Sequence, residues 1–149
     1  MTDNERRALV GIAPIVLIGR LIVLVRRGPE VEEEPNLWTL PCGVLKIGES
    51  MEAAIRDRVR TKSGLVVAPL CETLQQSYVG MYDDVGRSER FGNVAFSFLC
   101  KVVGGEMRAG PRLVDVQALD IGDVVGEQLR YQRHRWRLEP LVFHGRRLK

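Results

Sequence analysis

Cysteine and histidine are scarce in this chain of 149 residues, which holds three cysteines and two histidines. Cys42, Cys71 and Cys100 are odd in number and far apart, and no two of them form a Cys-x-x-Cys pair. A disulfide framework or a zinc site requires paired, closely spaced ligands, so neither is expected. The simplest interpretation is a set of free thiols in a reducing compartment, which predicts a cytoplasmic protein.

Long uninterrupted apolar runs are also missing. The most apolar stretch, residues 8–25, is interrupted by Pro14, Gly19 and Arg20, and strands around a turn explain it better than a membrane-spanning helix. The net charge is only +3, so bulk charge alone indicates no polyanionic partner. A length of 149 residues with 45% hydrophobic residues predicts a single domain over residues 1–149 and no membrane partner.

Runs of β-branched and aliphatic residues separated by turn signals predict a largely β protein with two helices. The predicted strands cover residues 9–18, 21–27, 37–40, 93–103 and 112–119, with one or two more within 65–78. Loops or turns are predicted at residues 19–20, 28–36, 80–92 and 104–105. A short helical turn is predicted at 121–125 and a long helix at 127–138. This order of elements suits an α/β (α+β) fold in which helices cover a mixed sheet on two sides.

The strongest helix signal covers residues 50–63. Ser50 is a suitable N-cap, Glu52 lies where the positive end of the helix dipole favours an anion, and Gly64 is a stop signal. The apolar residues recur at helical spacing and predict the buried stripe, which consists of Met51, Ala54, Ile55 and Val59.

The stretch around this helix, LWTLPCGVLKIGESMEAAIRDRVRTKSGL at residues 37–65, has a recognisable frame. Gly43 is followed after five residues by Glu49, and Gly64-Leu65 closes the stretch. In this spacing it resembles the signature of the Nudix (MutT-like) hydrolase superfamily. That signature is a glycine, a spaced glutamate and then Arg-Glu-aliphatic-any-Glu-Glu-any-Gly-aliphatic. The resemblance implies the Nudix fold, a mixed sheet between helices, for a single domain.

The residues that carry the chemistry of that family are changed. Asp57-Arg58 stands where the family has Arg-Glu, and Thr61-Lys62 where it has Glu-Glu. The family's glutamates gather divalent cations, which bridge the substrate's diphosphate and polarise the attacked phosphorus. Positions 58, 61 and 62 share one helix face, which here carries a charge of +2 in place of −3. Because magnesium requires anionic oxygens, we expect this face to repel it, and we expect no metal or cofactor.

Two interpretations of this basic face stay open. Arg58 and Lys62, with Arg56 beside them, are either solvated residues on a scaffold or direct phosphate ligands that replace the metal. The second predicts a protein that binds a nucleoside-diphosphate-linked small molecule with weak or no pyrophosphohydrolase activity.

Two aromatic residues are weaker candidates for ligand contact. In the family, a tyrosine at about the position of Tyr82 often accompanies diadenosine polyphosphate substrates, although an ordinary loop tyrosine is the simpler interpretation. Trp38 could stack on a base, but its place beside Pro41 favours a core tryptophan.

A metal-dependent hydrolase with relocated acids is the first alternative. Glu49 matches the family's first glutamate, and Glu52 and Asp57 are acids close to it. With acids from the following loop (Asp83, Asp84 and Glu89) they would form a residual site for Mg²⁺ or Mn²⁺. Glu49 and Glu52 would then be the catalytic residues.

A nucleic-acid or ribonucleoprotein interaction module is the second alternative. It rests on the basic residues near the C-terminus, which are Arg130, Arg133, Arg135 and Arg137, with Trp136 among them. The competing interpretation is an amphipathic helix with Trp136 buried and the arginines solvated. A homodimer is a further expectation from the family resemblance, since its members often dimerise.

Overall fold

The computed structural model describes residues 7–31, 35–69, 78–82 and 91–120. In these residues the chain forms ten strands and one helix. The strands are β1 (Arg7–Ile12), β2 (Ile15–Ile18), β3 (Leu21–Arg27), β4 (Trp38–Thr39), β5 (Gly43–Val44), β6 (Leu65–Pro69), β7 (Tyr78–Tyr82), β8 (Phe91–Ser97), β9 (Leu99–Gly105) and β10 (Leu113–Asp120). The helix is α1 (Met51–Ser63), and the helices predicted at 121–125 and 127–138 lie outside the described residues.

The strands form two sheets, each of which combines parallel and antiparallel neighbours. The first has the order β5-β1-β8-β7, with β1 and β8 parallel. The second has the order β10-β3-β2-β9-β6, with β2 and β9 parallel and β4 paired to β3. The predicted α+β class with mixed sheets is confirmed. Within the described residues, no helix is long and apolar enough to cross a membrane.

Two apolar runs that we predicted as single strands are each divided between the sheets. The run at 9–18 breaks at Ala13-Pro14, where β1 leaves the first sheet and β2 enters the second. The run at 93–103 breaks at Phe98 between β8 and β9 in the same way. Pro14 has no N–H to donate, which suits a break in a ladder. The predictions of continuous strands were wrong because a strand that changes sheet can stay buried throughout, so hydrophobicity does not mark the change.

Two further segments that we predicted as loop or turn because they contain glycine are strands in the structure. Residues 80–82 and 91–92, which we predicted as part of one loop, belong to β7 and β8, and Gly80 pairs with Ala95. The predicted turn at 104–105 is instead the end of β9, paired with β6. In each case the pairing with a neighbouring strand overrides a weak local preference for a loop.

Helix α1 covers one side of the core, as its sequence predicts. Ala54, Ile55 and Val59 are at most 1% exposed, and Met51 is half-buried. They pack in a cluster with residues of both sheets, including Ile12 of β1 and Val67, Leu65 and Cys100 of the second sheet. Burial in this cluster raises the pKa of the Cys100 thiol to about 12, so this cysteine is an inert core residue.

Both ends of α1 are fixed by the residues that the sequence indicated. The Ser50 hydroxyl accepts a hydrogen bond from the N–H of Ala53 at 3.1 Å. Gly64 has the left-handed φ of 77° and donates its N–H to Arg60 O at 2.9 Å. The connection from β9 to β10 also binds this end, because Gly110 donates its N–H to Lys62 O at 3.2 Å. A Cβ on Gly110 would lie 2.0 Å from a backbone oxygen of α1, so only glycine permits this close approach.

Candidate ligand-binding site

Arg58 lies at the junction between α1 and the loop that precedes it, and it is only 8% exposed. Its guanidinium forms a fork with the Glu49 carboxylate, with Nη1 donating to Oε2 at 2.9 Å and Nη2 to Oε1 at 2.7 Å. Nη1 also donates to Asp57 Oδ2 at 2.6 Å, and Nη2 donates to Val44 O at 2.8 Å. The four N–H groups of the two terminal nitrogens are thus all directed at protein acceptors.

Gly43 leaves the room that this arginine needs. A Cβ at position 43 would lie 2.9 Å from both Cγ and Cδ of Arg58, closer than such carbon atoms approach. Gly43, the first glycine of the Nudix frame, therefore packs directly against the aliphatic part of the Arg58 side chain. Sequence reasoning treated Arg58 as a surface cation and missed this packing. The sequence signal that could have shown it is a glycine and a glutamate just before α1, at Gly43 and Glu49, combined with an arginine within α1.

The fork with Arg58 shifts the titration of both partners. The hydrogen bonds from Arg58, and secondly the bond from the Lys46 backbone N–H at 3.1 Å, lower the pKa of Glu49. The carboxylate of Glu49 in turn raises the pKa of Arg58, with Asp57 adding to the effect. Glu49 is therefore an ionised partner of Arg58 at neutral pH and has no oxygen free of that fork.

Acid should destabilise the protein partly through Glu49. Its pKa in the folded protein lies below the unfolded value of about 4.3, so its contribution is present above that value and is lost as pH falls through the folded pKa. We expect Glu49→Gln to flatten the decline of unfolding free energy below about pH 4.3. Urea unfolding across acidic pH measures this, with Glu52→Gln as the charge-matched control at an exposed position. An acid decline as steep in Glu49→Gln as in the wild type would contradict the assignment.

Lys62 reaches from the last turn of α1 back to the loop. Its Nζ donates a hydrogen bond to the backbone carbonyl of Cys42, the residue directly before Gly43. The side chain is half-buried, and Thr61 beside it is exposed. An ammonium has three N–H donors, and Cys42 O accepts from one of them. The other N–H donors of the Lys62 ammonium, with its positive charge, are therefore the groups of this junction that could bind a ligand.

These residues do not fit a divalent cation. The Glu49 and Asp57 carboxylates accept hydrogen bonds from Arg58, while the Cys42 carbonyl accepts from Lys62. The two acids and two bases sum to zero charge, so the junction has no excess negative charge to attract a cation. Over the described parts of the chain, no group of three or more His, Cys, Asp or Glu residues could hold a metal ion. The loop acids Asp83, Asp84 and Glu89 lie outside those parts, and their role stays a prediction.

Arg56 and Trp38, two other predicted site residues, have contacts of their own outside the Arg58 fork. Arg56 is exposed and pairs with the exposed Glu52 at 2.7 Å, on the solvent side of α1. Trp38 is 7% exposed and packs with Leu40 in the core, in agreement with the core interpretation of this residue. Tyr82 ends β7 opposite Asn93, so its placement in a loop was wrong. The arginines at 130, 133, 135 and 137 lie outside the described residues.

A sequence model of the NUDIX domain matches residues 6–141 of this chain. The chain therefore belongs to the Nudix family. Among curated proteins, it is 26% identical over 87 residues to an ADP-ribose pyrophosphatase from Methanocaldococcus jannaschii, an alignment that covers 58% of this chain and 48% of that protein. The chain thus aligns with about half the length of this relative.

Solved structures show the same fold. A MutT protein from Methanosarcina mazei Go1 superposes with a TM-score of 0.77 at 14% identity, covering 94% of this chain and 96% of that one. A bifunctional NMN adenylyltransferase/ADP ribose pyrophosphatase from Francisella tularensis, complexed with AMP and a manganese ion, gives a TM-score of 0.67 at 18% identity. That match covers 95% of this chain and 42% of the larger protein. At these identities the likeness establishes the fold only, and the ligand has to be inferred from the residues of the site.

Proposed function

We propose that this protein binds a nucleoside-diphosphate-linked molecule of the ADP-ribose type and hydrolyses it weakly or not at all. The observation that carries the proposal is the ammonium of Lys62 seated on the Cys42 carbonyl, at a helix position where the family signature has a glutamate. The ligand class is suggested by relatives that are named as ADP-ribose pyrophosphatases, one of them with AMP bound.

Lys62 is the residue best placed to contact a phosphate. Its ammonium is held by one protein oxygen and retains donors for a charge-assisted hydrogen bond. A lysine binds phosphate as a compact point charge, so it needs no planar geometry in the ligand. The backbone bond to Cys42 fixes the ammonium in advance, which reduces the entropy lost on binding.

Arg58 has a different role in this proposal. Direct contact with phosphate was one of the two interpretations that the sequence left open, but its terminal N–H groups are bound to Glu49, Asp57 and Val44. A phosphate would have to displace a buried carboxylate fork to reach them, which is costly. We infer that Arg58 instead supports the site by holding the loop from Gly43 to Glu49 against α1.

Weak or absent hydrolysis follows from the same contacts. Pyrophosphate cleavage in this family depends on metal-assisted activation, for which the box positions supply Arg58, Thr61 and Lys62 in place of acids. Glu49 is also a poor general base, because a base must reach the attacking water and this carboxylate is enclosed by Arg58.

Lys62→Met should weaken binding of ADP-ribose by about tenfold, since one charge-assisted hydrogen bond contributes about 1.5 kcal/mol. Isothermal titration in EDTA buffer would measure it. Lys101→Met is the control, because Lys101 is an exposed lysine on β9. Equal loss in both variants, or no binding by the wild type, would contradict the proposal.

Retained hydrolysis is a second candidate, favoured by the names of the relatives. It predicts release of a nucleoside monophosphate that depends on Mg²⁺ or Mn²⁺ and is abolished by Glu49→Gln. The nucleic-acid interaction and the homodimer stay predictions from the sequence. The first is checked by the salt dependence of RNA binding when Arg133, Arg135 and Arg137 become alanine.

A further inference from the structure

The charge that faces a ligand at this junction belongs to the chain itself. In a metal-dependent Nudix enzyme, the positive charge that neutralises the diphosphate comes from a bound divalent cation. Here it is the Lys62 ammonium, held on Cys42 O. We propose, on the basis of the proposed function above, that this protein selects the magnesium-free form of its diphosphate ligand, and that Mg²⁺ therefore antagonises binding.

The two acids of this junction are already paired with Arg58. Glu49 has both carboxylate oxygens in the Arg58 fork, and its Oε1 also accepts the Lys46 N–H. Asp57 is exposed but pairs with the same guanidinium at 2.6 Å. A magnesium ion on the ligand could gain an oxygen of Glu49 only by displacing Arg58. The exposed carboxylate of Asp57 already pairs with that guanidinium through Oδ2, and one such carboxylate is weak compensation for an ion that requires several anionic oxygens.

Magnesium changes the charge that the ligand presents to Lys62. A free diphosphate diester carries negative charge on the oxygens that an ammonium recognises. When Mg²⁺ chelates those oxygens, it removes that charge and occupies acceptor sites that Lys62 would use. It also brings two positive charges beside the fixed ammonium, and the partial burial of Lys62 limits the screening of that repulsion. Each effect weakens the magnesium complex relative to the free anion.

The experiment is an isothermal titration of the full chain with ADP-ribose, in EDTA and then in Mg²⁺ sufficient to saturate the diphosphate. Sodium chloride holds the ionic strength constant. We expect the wild type to bind about tenfold more weakly in Mg²⁺, which corresponds to loss of one charge-assisted contact. In Lys62→Glu the sign should invert, so that Mg²⁺ strengthens binding. Lys101→Glu makes the same charge change on β9 and should keep the wild-type antagonism.

These titrations distinguish magnesium antagonism from the proposed binding of ADP-ribose. Binding that is equal or tighter in Mg²⁺ overturns the antagonism while leaving ADP-ribose recognition in place. No binding in either buffer removes the proposed function, and the antagonism with it. A measurement with Mn²⁺ alone, by electron paramagnetic resonance, tests the site without any nucleotide. We expect no bound manganese in the wild type, and a bound ion there would overturn the inference.

Discussion

Restoring the family's residues at four positions is expected to give this protein magnesium-dependent hydrolysis of ADP-ribose. The changes are Asp57→Arg, Arg58→Glu, Thr61→Glu and Lys62→Glu, which replace a neutral junction by one rich in carboxylates. A metal-bound transition state gains several kcal/mol of charge stabilisation, so we expect a rate at least about a hundredfold above that of the wild type. Release of AMP, followed by chromatography with and without Mg²⁺, measures the gain.

Two controls make that result interpretable. Circular dichroism and thermal unfolding establish that the variant keeps the fold after losing the Arg58 fork, and Asp57→Arg is included so that a cation remains near Glu49. Lys62→Glu alone removes the ammonium without supplying the other acids, so it should remain close to the wild-type rate. A folded four-residue variant with no activity above the wild type would mean that these positions do not explain the weak or absent hydrolysis that we propose.

Arg58→Met is expected to lower the unfolding free energy by about 2 kcal/mol, between the values typical of exposed and fully buried ion pairs. The side chains of Arg58 and Glu49 are 10% and 19% exposed, so removal of the arginine leaves a carboxylate and the Val44 carbonyl without their donor. Methionine preserves the apolar stem that packs over Gly43. Chemical denaturation at neutral pH measures the loss.

Arg56→Met is the matched control for this prediction. It makes the same substitution half a turn away on α1, in an i,i+4 pair whose side chains are 53% and 63% exposed. Such a pair contributes about 0.5 kcal/mol or less. Similar losses for the two variants would show that the Arg58 network does not hold the loop against the helix.

The sequence predicted α1 well because the signals for a helix are local. Ser50 and Gly64 mark its ends, and the apolar spacing marks its buried side. The division of the runs at 9–18 and 93–103 between two sheets was not predictable in this way, since it depends on which strands each half meets. Local patterns identify extended chain but not the sheet that it joins.

The same distinction applies to the site. The Nudix frame located the changed positions, and charge counting identified the missing carboxylates. The sequence did not show that Arg58 is paired with Glu49, because Glu49 approaches Arg58 only when the loop from Gly43 to Glu49 folds back on α1. Nor did it show the acceptor of Lys62, which is a backbone oxygen of Cys42 and has no sequence signature. Formal charge on a helix face therefore overstated the number of cations available to a ligand.

A crystal structure of the protein soaked with ADP-ribose and Mn²⁺ would show whether lysine or a metal ion contacts the diphosphate. We expect an intact ligand with a phosphate oxygen in hydrogen-bond contact with Lys62 Nζ, the Arg58–Glu49 fork unbroken, and no anomalous manganese signal at the junction. A manganese ion ligated by Glu49 or Asp57, with AMP in place of ADP-ribose, would contradict this expectation.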